Sequence, residues 1–398
     1  MNNFIFQSPT ELIFGKGQVE KLGKKIKEFG NNILLVTGQG SIKKIGLYDE
    51  IMENLDQTEV NTYELSGVKP NPRVKLVREG VKICQEHDID LVLAAGGGST
   101  VDTSKAIAAA VCYDGDAWEM VTADEDPQEA LPVGVILTLA ATGSEINGNA
   151  VISNLETEEK LAIQTPVLTP VFSILDPQYT TTVPRNQTVY GIVDIASHVY
   201  EQYFSHTENT PIADRFAESI LITLREESKK VLEDLENYQA RSNIMLCATF
   251  ALNGGICASG GERTYLLGQG KEMNWAIHGI EHEISAIYDI PHGGGLAILF
   301  PNWMEYVMDE DPVKFAQYAK RVFEIDPSGK TDEEVAREGI KKTREWFNEM
   351  GAPESLADYD IGDENLETMA EKVTSGGTLG GYKELDKDDV YEILKMSL

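Results

Sequence analysis

Positive charge is in short supply in this sequence. Its 398 residues carry 34 Lys and Arg against 65 Asp and Glu, a formal net charge of −31 at pH 7. Nucleic acids and anionic membrane surfaces bind basic patches, so this balance argues against both as partners. Cysteine is sparse too. Cys84, Cys112, Cys247 and Cys257 are scattered without CxxC spacing, which reads as reduced thiols in a cytosolic protein. Nowhere do eighteen apolar residues run together, and the N-terminal MNNFIFQSPTELIFGKG has no basic segment ahead of an apolar one. Neither a membrane span nor a signal peptide is expected.

What is present suits a globular chain of two domains, possibly three, since 42% of the residues are hydrophobic. Residues 3–6 and 11–14 are short apolar runs around Ser8-Pro9, expected as a hairpin, with an amphipathic helix near 18–29. Strand-like runs then alternate with helical ones: Ile33–Thr37, Leu47–Leu55, Val60–Leu65, Arg73–His87, Asp90–Ala95, a helix through Ala110, Pro132–Thr138 and Val171–Leu175. Such alternation predicts a parallel sheet with helices on both faces. Beyond Asp176-Pro177 and Thr182-Val183-Pro184 the periodicity is almost entirely helical. The expected domains are therefore residues 1–182, an α/β unit, and residues 183–398, an all-helical unit.

Two loops at strand ends carry chemistry. Asp90–Ala95 feeds into Gly96-Gly97-Gly98-Ser99 and then Thr100–Lys105 at the start of a helix. Glycines let a backbone approach a pyrophosphate, and first-turn amides point toward it. The spacing matches neither GxGxxG nor a Walker A loop, and a glycine turn between strand and helix is often turn chemistry alone. Pro132–Thr138 runs into Leu139-Ala140-Ala141-Thr142-Gly143-Ser144-Glu145. Two such loops suggest one ligand bridging them.

The helical half holds the histidines. In Asn274–Gly293, His278 and His282 stand four apart among Ile277, Ile280, Ile284 and Ile287, so both imidazoles leave one helix face. Asp289-Ile290-Pro291 stops the helix and puts His292 on a loop able to fold back over that face. Upstream, Asp194 and His198 are again four apart, the aspartate being the only charge in an apolar turn. Either pair alone is equally well explained as hydrogen-bonded core residues. Together, Asp-x3-His and His-x3-His-x9-His offer mixed nitrogen and oxygen ligation suited to Fe(II) or Zn(II) and too rich in nitrogen for Mg or Ca.

These motifs in this order resemble the iron-containing alcohol dehydrogenase family. The resemblance spans essentially the whole chain. Gly67-Val68-Lys69-Pro70-Asn71-Pro72-Arg73 and Pro301-Asn302-Trp303-Met304-Glu305-Tyr306 look like its butanol dehydrogenase branch. The resemblance implies a dehydroquinate synthase-like architecture with the site in a cleft between the two domains. It implies Asp194, His198, His278 and His292 as metal ligands, with His282 near the nicotinamide and our choice for the proton relay. It places Gly97, Gly98 and Ser99 on the pyrophosphate, Asp102 near the carboxamide, and Asn71, Thr138, Leu139, Thr142, Ser144 and Lys160 along the cofactor groove. Members of the family are commonly homodimers or larger, so a homodimer is expected, and the reduced thiols place it in the cytoplasm.

The implied activity is hydride transfer between NAD(P)H and a small aliphatic aldehyde, butanal to butanol in type. A glycerol dehydrogenase-like polyol oxidoreductase is the nearest alternative, and a non-catalytic metal-binding protein a remoter one. A dehydroquinate synthase would need basic residues for its phosphate and carboxylate, in which the region around Asp194 and His278 is poor. Cofactor choice is read from the turn after Ile33–Thr37. Gly38, Gln39, Gly40 and Ser41 include no carboxylate to repel a 2′-phosphate, and Lys43 and Lys44 follow. NADPH is therefore expected to be accepted and preferred, although butanol dehydrogenases of this kind are often NADH-dependent.

Overall fold

A computed structural model describes residues 1–255 and 264–398. Cys257 lies outside them. The chain forms two compact units, one of residues 5–183 and 235–265, the other of residues 1–4, 184–234 and 266–398.

The first unit is built on β1 (Glu11–Phe14), β2 (Asn32–Gly38), β3 (Asn61–Val68), β4 (Leu91–Gly96), β5 (Val133–Leu137), β6 (Asn149–Asn154), β7 (Glu159–Gln164) and β8 (Phe172–Leu175). Among the described residues, six of these make one parallel sheet in the order β1-β8-β5-β4-β2-β3. Its helices are α1 (Leu22–Ile26), α2 (Ser41–Lys44), α3 (Leu47–Gln57), α4 (Val74–His87), α5 (Gly98–Ala110) and α6 (Ala117–Thr122). Successive residues of a strand face opposite ways. Leu34 and Val36 of β2 join a core with Val77 of α4 and Ala106 of α5, while Ile33 and Leu35 join another with Ile26 of α1 and Ile51 of α3. Both faces are thus covered, as a parallel sheet requires.

Two expectations need correcting here. Residues 3–6 and 11–14 do not pair as a hairpin; β1 instead lies parallel to β8, with Glu11 opposite Phe172 and Phe14 opposite Leu175. The helix near 18–29 is a 3-10 turn, Gln18–Lys21, followed by the short α1. The hairpin that follows the 139–145 loop adds an element to the expected set: β6 and β7 pair antiparallel, turning through Glu158 at φ 53°.

The second unit is helical: α7 (Arg185–Tyr203), α8 (Pro211–Glu233), then, after α9 (Tyr238–Ala251), α10 (Ala276–Tyr288), α11 (His292–Val307), α12 (Pro312–Val322), α13 (Asp332–Met350), α14 (Leu366–Val373) and α15 (Lys387–Met396). Its core is aromatic, with Tyr200, Phe204, Trp303, Phe315 and Tyr318 packed ring on ring. The α9 segment groups with the α/β unit, against the 177–180 and 144–146 turns, so the two-part grouping differs from a single cut at 182/183 by this returning segment and by the first four residues. Thr249 of α9 shows why: its hydroxyl donates to the Glu145 carboxylate at 2.7 Å, and both groups are buried. No described helix is long and apolar enough to cross a membrane.

Gly134 of β5 pairs with Phe172 of β8, and a Cβ there would sit 2.4 Å from the buried Phe172 ring. Gly134→Ala is expected to cost about 1–3 kcal/mol in urea unfolding through overpacking. Adding Phe172→Leu should recover part of it; a neutral single substitution would show that the ring has room to move.

Candidate metal centre and cofactor loops

The helical unit brings four side chains together around one point. Asp194 and His198 project from α7, His278 from α10 and His292 from α11. The three Nε2 atoms of His198, His278 and His292 lie 3.7, 3.9 and 3.8 Å from Asp194 Oδ1. Donor atoms of Asp194, His278 and His292 are all within 4.8 Å of one another. An ion bound tetrahedrally at about 2.1 Å spaces its ligands by about 3.4 Å, close to these separations. Asp194, His198 and His278 are buried, and His278 Nε2 is a buried nitrogen with no hydrogen bond. A basic nitrogen in that state is costly unless something else occupies its lone pair. The donor set fits a single divalent ion.

Burial holds His198 well below the usual histidine range, helped by the neighbouring rings of His278 and His292. It is the neutral imidazole that binds a metal. His198 and His278 stack with centroids 4.8 Å apart. His282 sits one turn beyond His278, half-buried, its ring 5.6 Å from that of His292.

His292 is the first residue of α11, not a loop residue as expected from Pro291. Asp289, in the left-handed conformation at φ 53°, ends α10, and Pro291 caps the next helix. The three following glycines explain how α11 gets close enough. A Cβ on Gly293 would lie 2.2 Å from the Tyr190 carbonyl oxygen of α7, one on Gly294 2.0 Å from the Tyr359 hydroxyl, and one on Gly295 2.8 Å from Glu281 Cγ.

Two buried carboxylates behind the imidazoles were missed in the sequence. Glu201 Oε1 accepts from His278 Nδ1 at 3.0 Å and from the amides of Ile277 and His278 at 3.1 Å each, so it also caps α10. Glu281 Oε2 pairs with His292 Nδ1, and its Oε1 accepts from the Ser285 hydroxyl. Both are fully buried. Glu201 was legible in principle, lying seven residues after Asp194 and hence on the same face of α7. Glu281, three after His278, was less so.

The α/β unit places Gly97, Gly98, Ser99 and Asp102 after β4 and Thr138, Leu139, Thr142 and Ser144 after β5. α5 starts at Gly98, so the amides of Gly98 and Ser99 belong to a first turn that makes no internal helix bonds. Thr138 donates its amide to the Gly96 carbonyl at 2.9 Å, tying one loop to the other. A Cβ on Gly97 would stand 3.2 Å from Leu139 Cβ, and one on Gly98 2.5 Å from the Thr142 side chain. Glycine is needed at 98 for this loop-to-loop contact as much as for any phosphate.

Asp102 faces inward. Its Oδ1 accepts from the Ser144 hydroxyl at 2.7 Å and its Oδ2 from the Val151 amide of β6 at 3.2 Å. Burial pushes its carboxyl up, with Lys105 and Lys160 pulling it down. Lys105, also buried, gives its ammonium to Ser144 Oγ, Asn147 O, Asn147 Oδ1 and Asn149 O at 2.8–3.2 Å. Burial pushes this lysine down to about 7. Ser144, Asp102 and Lys105 therefore form one polar knot beneath the loops. Lys160 lies on β7 opposite Ser153, and Asn71, buried, takes φ 51° in the turn after β3. Gly38 ends β2; Gln39, Gly40 and Ser41 lead into α2.

A nitrogen-rich centre for a divalent ion and glycine turns at parallel strand ends are the parts of a metal-dependent nicotinamide oxidoreductase. Comparison with known proteins narrows the class. Residues 9–177 match the family profile described as iron-containing alcohol dehydrogenase, and residues 188–398 match the C-terminal profile of the Fe-containing alcohol dehydrogenase family. "Probable NADH-dependent butanol dehydrogenase 1" of Bacillus subtilis (strain 168) is 53% identical over 398 residues, covering 100% of each chain. "NADPH-dependent aldehyde reductase YqhD" of Escherichia coli (strain K12) is 38% identical over 95% of this chain and 94% of its own. The crystal structure of NADH-dependent butanol dehydrogenase A from Thermotoga maritima superposes with a TM-score of 0.93 at 39% identity, covering 100% of this chain and 99% of the other. The chain belongs to the iron-containing alcohol dehydrogenase family, within its butanol dehydrogenase branch. It is an NAD(P)-dependent, iron-type alcohol dehydrogenase and aldehyde reductase.

A test of the loop contact follows from Gly98. Gly98→Val is expected to weaken NAD(P)H binding about tenfold or more in a fluorescence titration, the size of an overpacking strain of a few kcal/mol. Thr142→Ala in the same chain should restore part of the affinity, and an unchanged dissociation constant for Gly98→Val alone would refute the contact.

Proposed function

We propose that Asp194, His198, His278 and His292 hold the divalent metal and that the physiological reaction is reduction of a small aliphatic aldehyde of the butanal type. The observation that carries this reading is the convergence of three Nε2 atoms within 3.9 Å of one buried carboxylate oxygen. When bound, the metal polarises the carbonyl oxygen as a Lewis acid and the dihydronicotinamide supplies the hydride. Three neutral imidazoles and one carboxylate leave net positive charge where negative charge develops. His282 carries the proton that the reduced oxygen must gain, from a half-buried position beside His292. Gly97, Gly98 and Ser99 offer the pyrophosphate first-turn amides. Thr138, Leu139, Thr142, Ser144, Asn71 and Lys160 line the rest of the cofactor site. Asp102, with both oxygens engaged inside the protein, acts on the carboxamide chiefly by fixing Ser144. Either Fe(II) or Zn(II) suits the donor set. On family resemblance, the enzyme works as a cytoplasmic homodimer.

Cofactor choice rests on Gly38. A Cβ there would meet the Val68 carbonyl at an ordinary contact distance of 3.8 Å, so a side chain is tolerated at this position, and the glycine leaves no acid there to repel a 2′-phosphate. Lys43, however, is held over the Tyr48 ring at 4.3 Å. That leaves Ser41 and Lys44 for the phosphate, and supports acceptance of NADPH alongside NADH more than a strong preference. The relatives' names divide the same way, NADH in the Bacillus protein and NADPH in the Escherichia one.

Alanine at Asp194, His198, His278 or His292 is expected to lower both bound metal and butanal reduction, whereas His282→Ala should keep its metal and lose turnover by about 10²-fold or more. Full metal occupancy of His292→Ala by elemental analysis would overturn the ligand set. Gly38→Asp should shift the ratio of kcat/KM for NADPH over NADH downward by at least about tenfold, because a carboxylate now faces the phosphate. A ratio that does not fall would remove the recognition argument and leave the dehydrogenase assignment intact.

A further inference from the structure

We propose that Glu201 and Glu281 are positioning residues for the metal centre, each fixing one histidine in the tautomer that turns a lone pair on Nε2 toward Asp194. The inference rests on the reading of His278 and His292 as ligands. An imidazole has two nitrogens, and only the one without a proton can bind a metal. His278 Nδ1 faces Glu201 Oε1 at 3.0 Å, and His292 Nδ1 faces Glu281 Oε2. A carboxylate accepts and does not donate, so each Nδ1 must carry the proton and each Nε2 the lone pair.

Neither glutamate is free to turn away. Glu201 is anchored by the amides of Ile277 and His278, at the positive end of α10. Glu281 is held by Ser285, and Gly295 leaves just the space its side chain fills. The ring planes of His278 and His292 are thereby set by groups that do not touch the metal. Each glutamate also sits at the far nitrogen of a candidate ligand, where a carboxylate strengthens imidazole as a donor. His198 differs: among the described residues, its Nδ1 is a buried atom without a hydrogen bond.

The probe is Co(II), titrated into the chelator-stripped full-length protein against a competing chelator, with the visible d–d bands read at saturation. Glu201→Gln and Glu281→Gln keep the size and an oxygen acceptor but remove the charge. They are expected to bind Co(II) about tenfold more weakly with the band shape of wild type. Glu201→Leu and Glu281→Leu remove the acceptor and should lose about 100-fold and change the band shape, since the ring is no longer fixed. Asp194→Ala separates the two levels of the argument. If it loses Co(II) while all four glutamate variants bind within twofold of wild type, the ligand set stands and the positioning role is overturned. If Asp194→Ala binds as wild type does, the ligand set fails and this inference with it. Should the Leu variants not fold, the Gln pair decides: affinity within twofold of wild type overturns the proposal, and a tenfold loss with an intact spectrum supports it.

Discussion

One carboxylate placed where water does not reach it organises the helical unit. Asp194 sits in the middle of α7 among Ile192, Val193, Ile195 and Ala196, all buried, and an ionised group there must be met by something other than solvent. Three imidazoles from three helices meet it. Bringing them there dictates how α7, α10 and α11 pack, and α11 can come in only because Gly293 lets its backbone touch the Tyr190 carbonyl. Replacing such a cluster by apolar residues would make an easier core to fold. Its place in the middle of a core is what the proposed metal site would require.

The α/β unit has a comparable anchor in Lys105. An ammonium surrounded by four oxygen acceptors binds the first turns of α5 to the 144–149 loop, and Asp102 closes the knot through Ser144. The glycine turn after β4 and the hydroxyl-bearing loop after β5 are thus held in register from below, so their upper faces stay available to a ligand. Rigid support under a phosphate-binding turn limits the ordering cost of binding.

Much of this was legible in the sequence because the relevant signals are local. Strand runs such as Asp90–Ala95, buried on both faces, have no competing reading once they alternate with helical periods. The i, i+4 spacings of Asp194 with His198 and of His278 with His282 fix a helix face directly. What escaped was set by partners distant in the chain. β1 pairs with β8, some 160 residues away, so its apolar run looked like half of a local hairpin. Pro291 stops α10, but the same proline is well suited to begin a helix, and that second use put His292 in α11. β6 and β7 mix buried apolar residues such as Ala150, Ile152 and Ile163 with buried polar ones such as Ser153, Asn154 and Lys160, and such short mixed runs are hard to separate from loop. Glu201 and Glu281 read as ordinary acids of amphipathic helices, since nothing in a sequence marks which glutamates are fully buried.

The donor set also limits how finely the metal can be chosen. Three imidazole nitrogens, each 3.7–3.9 Å from one carboxylate oxygen, make a donor set of a kind that zinc and ferrous iron both accept. A carboxylate on the far nitrogen, as Glu201 and Glu281 would be, raises a ligating imidazole's basicity toward every divalent ion alike. They add affinity, therefore, more than selectivity. With Asp194, His198, His278 and His292 as the proposed ligands, discrimination between iron and zinc would fall to which ion the protein meets and to what the reaction tolerates, and Glu201 and Glu281 would set the strength of the centre toward either.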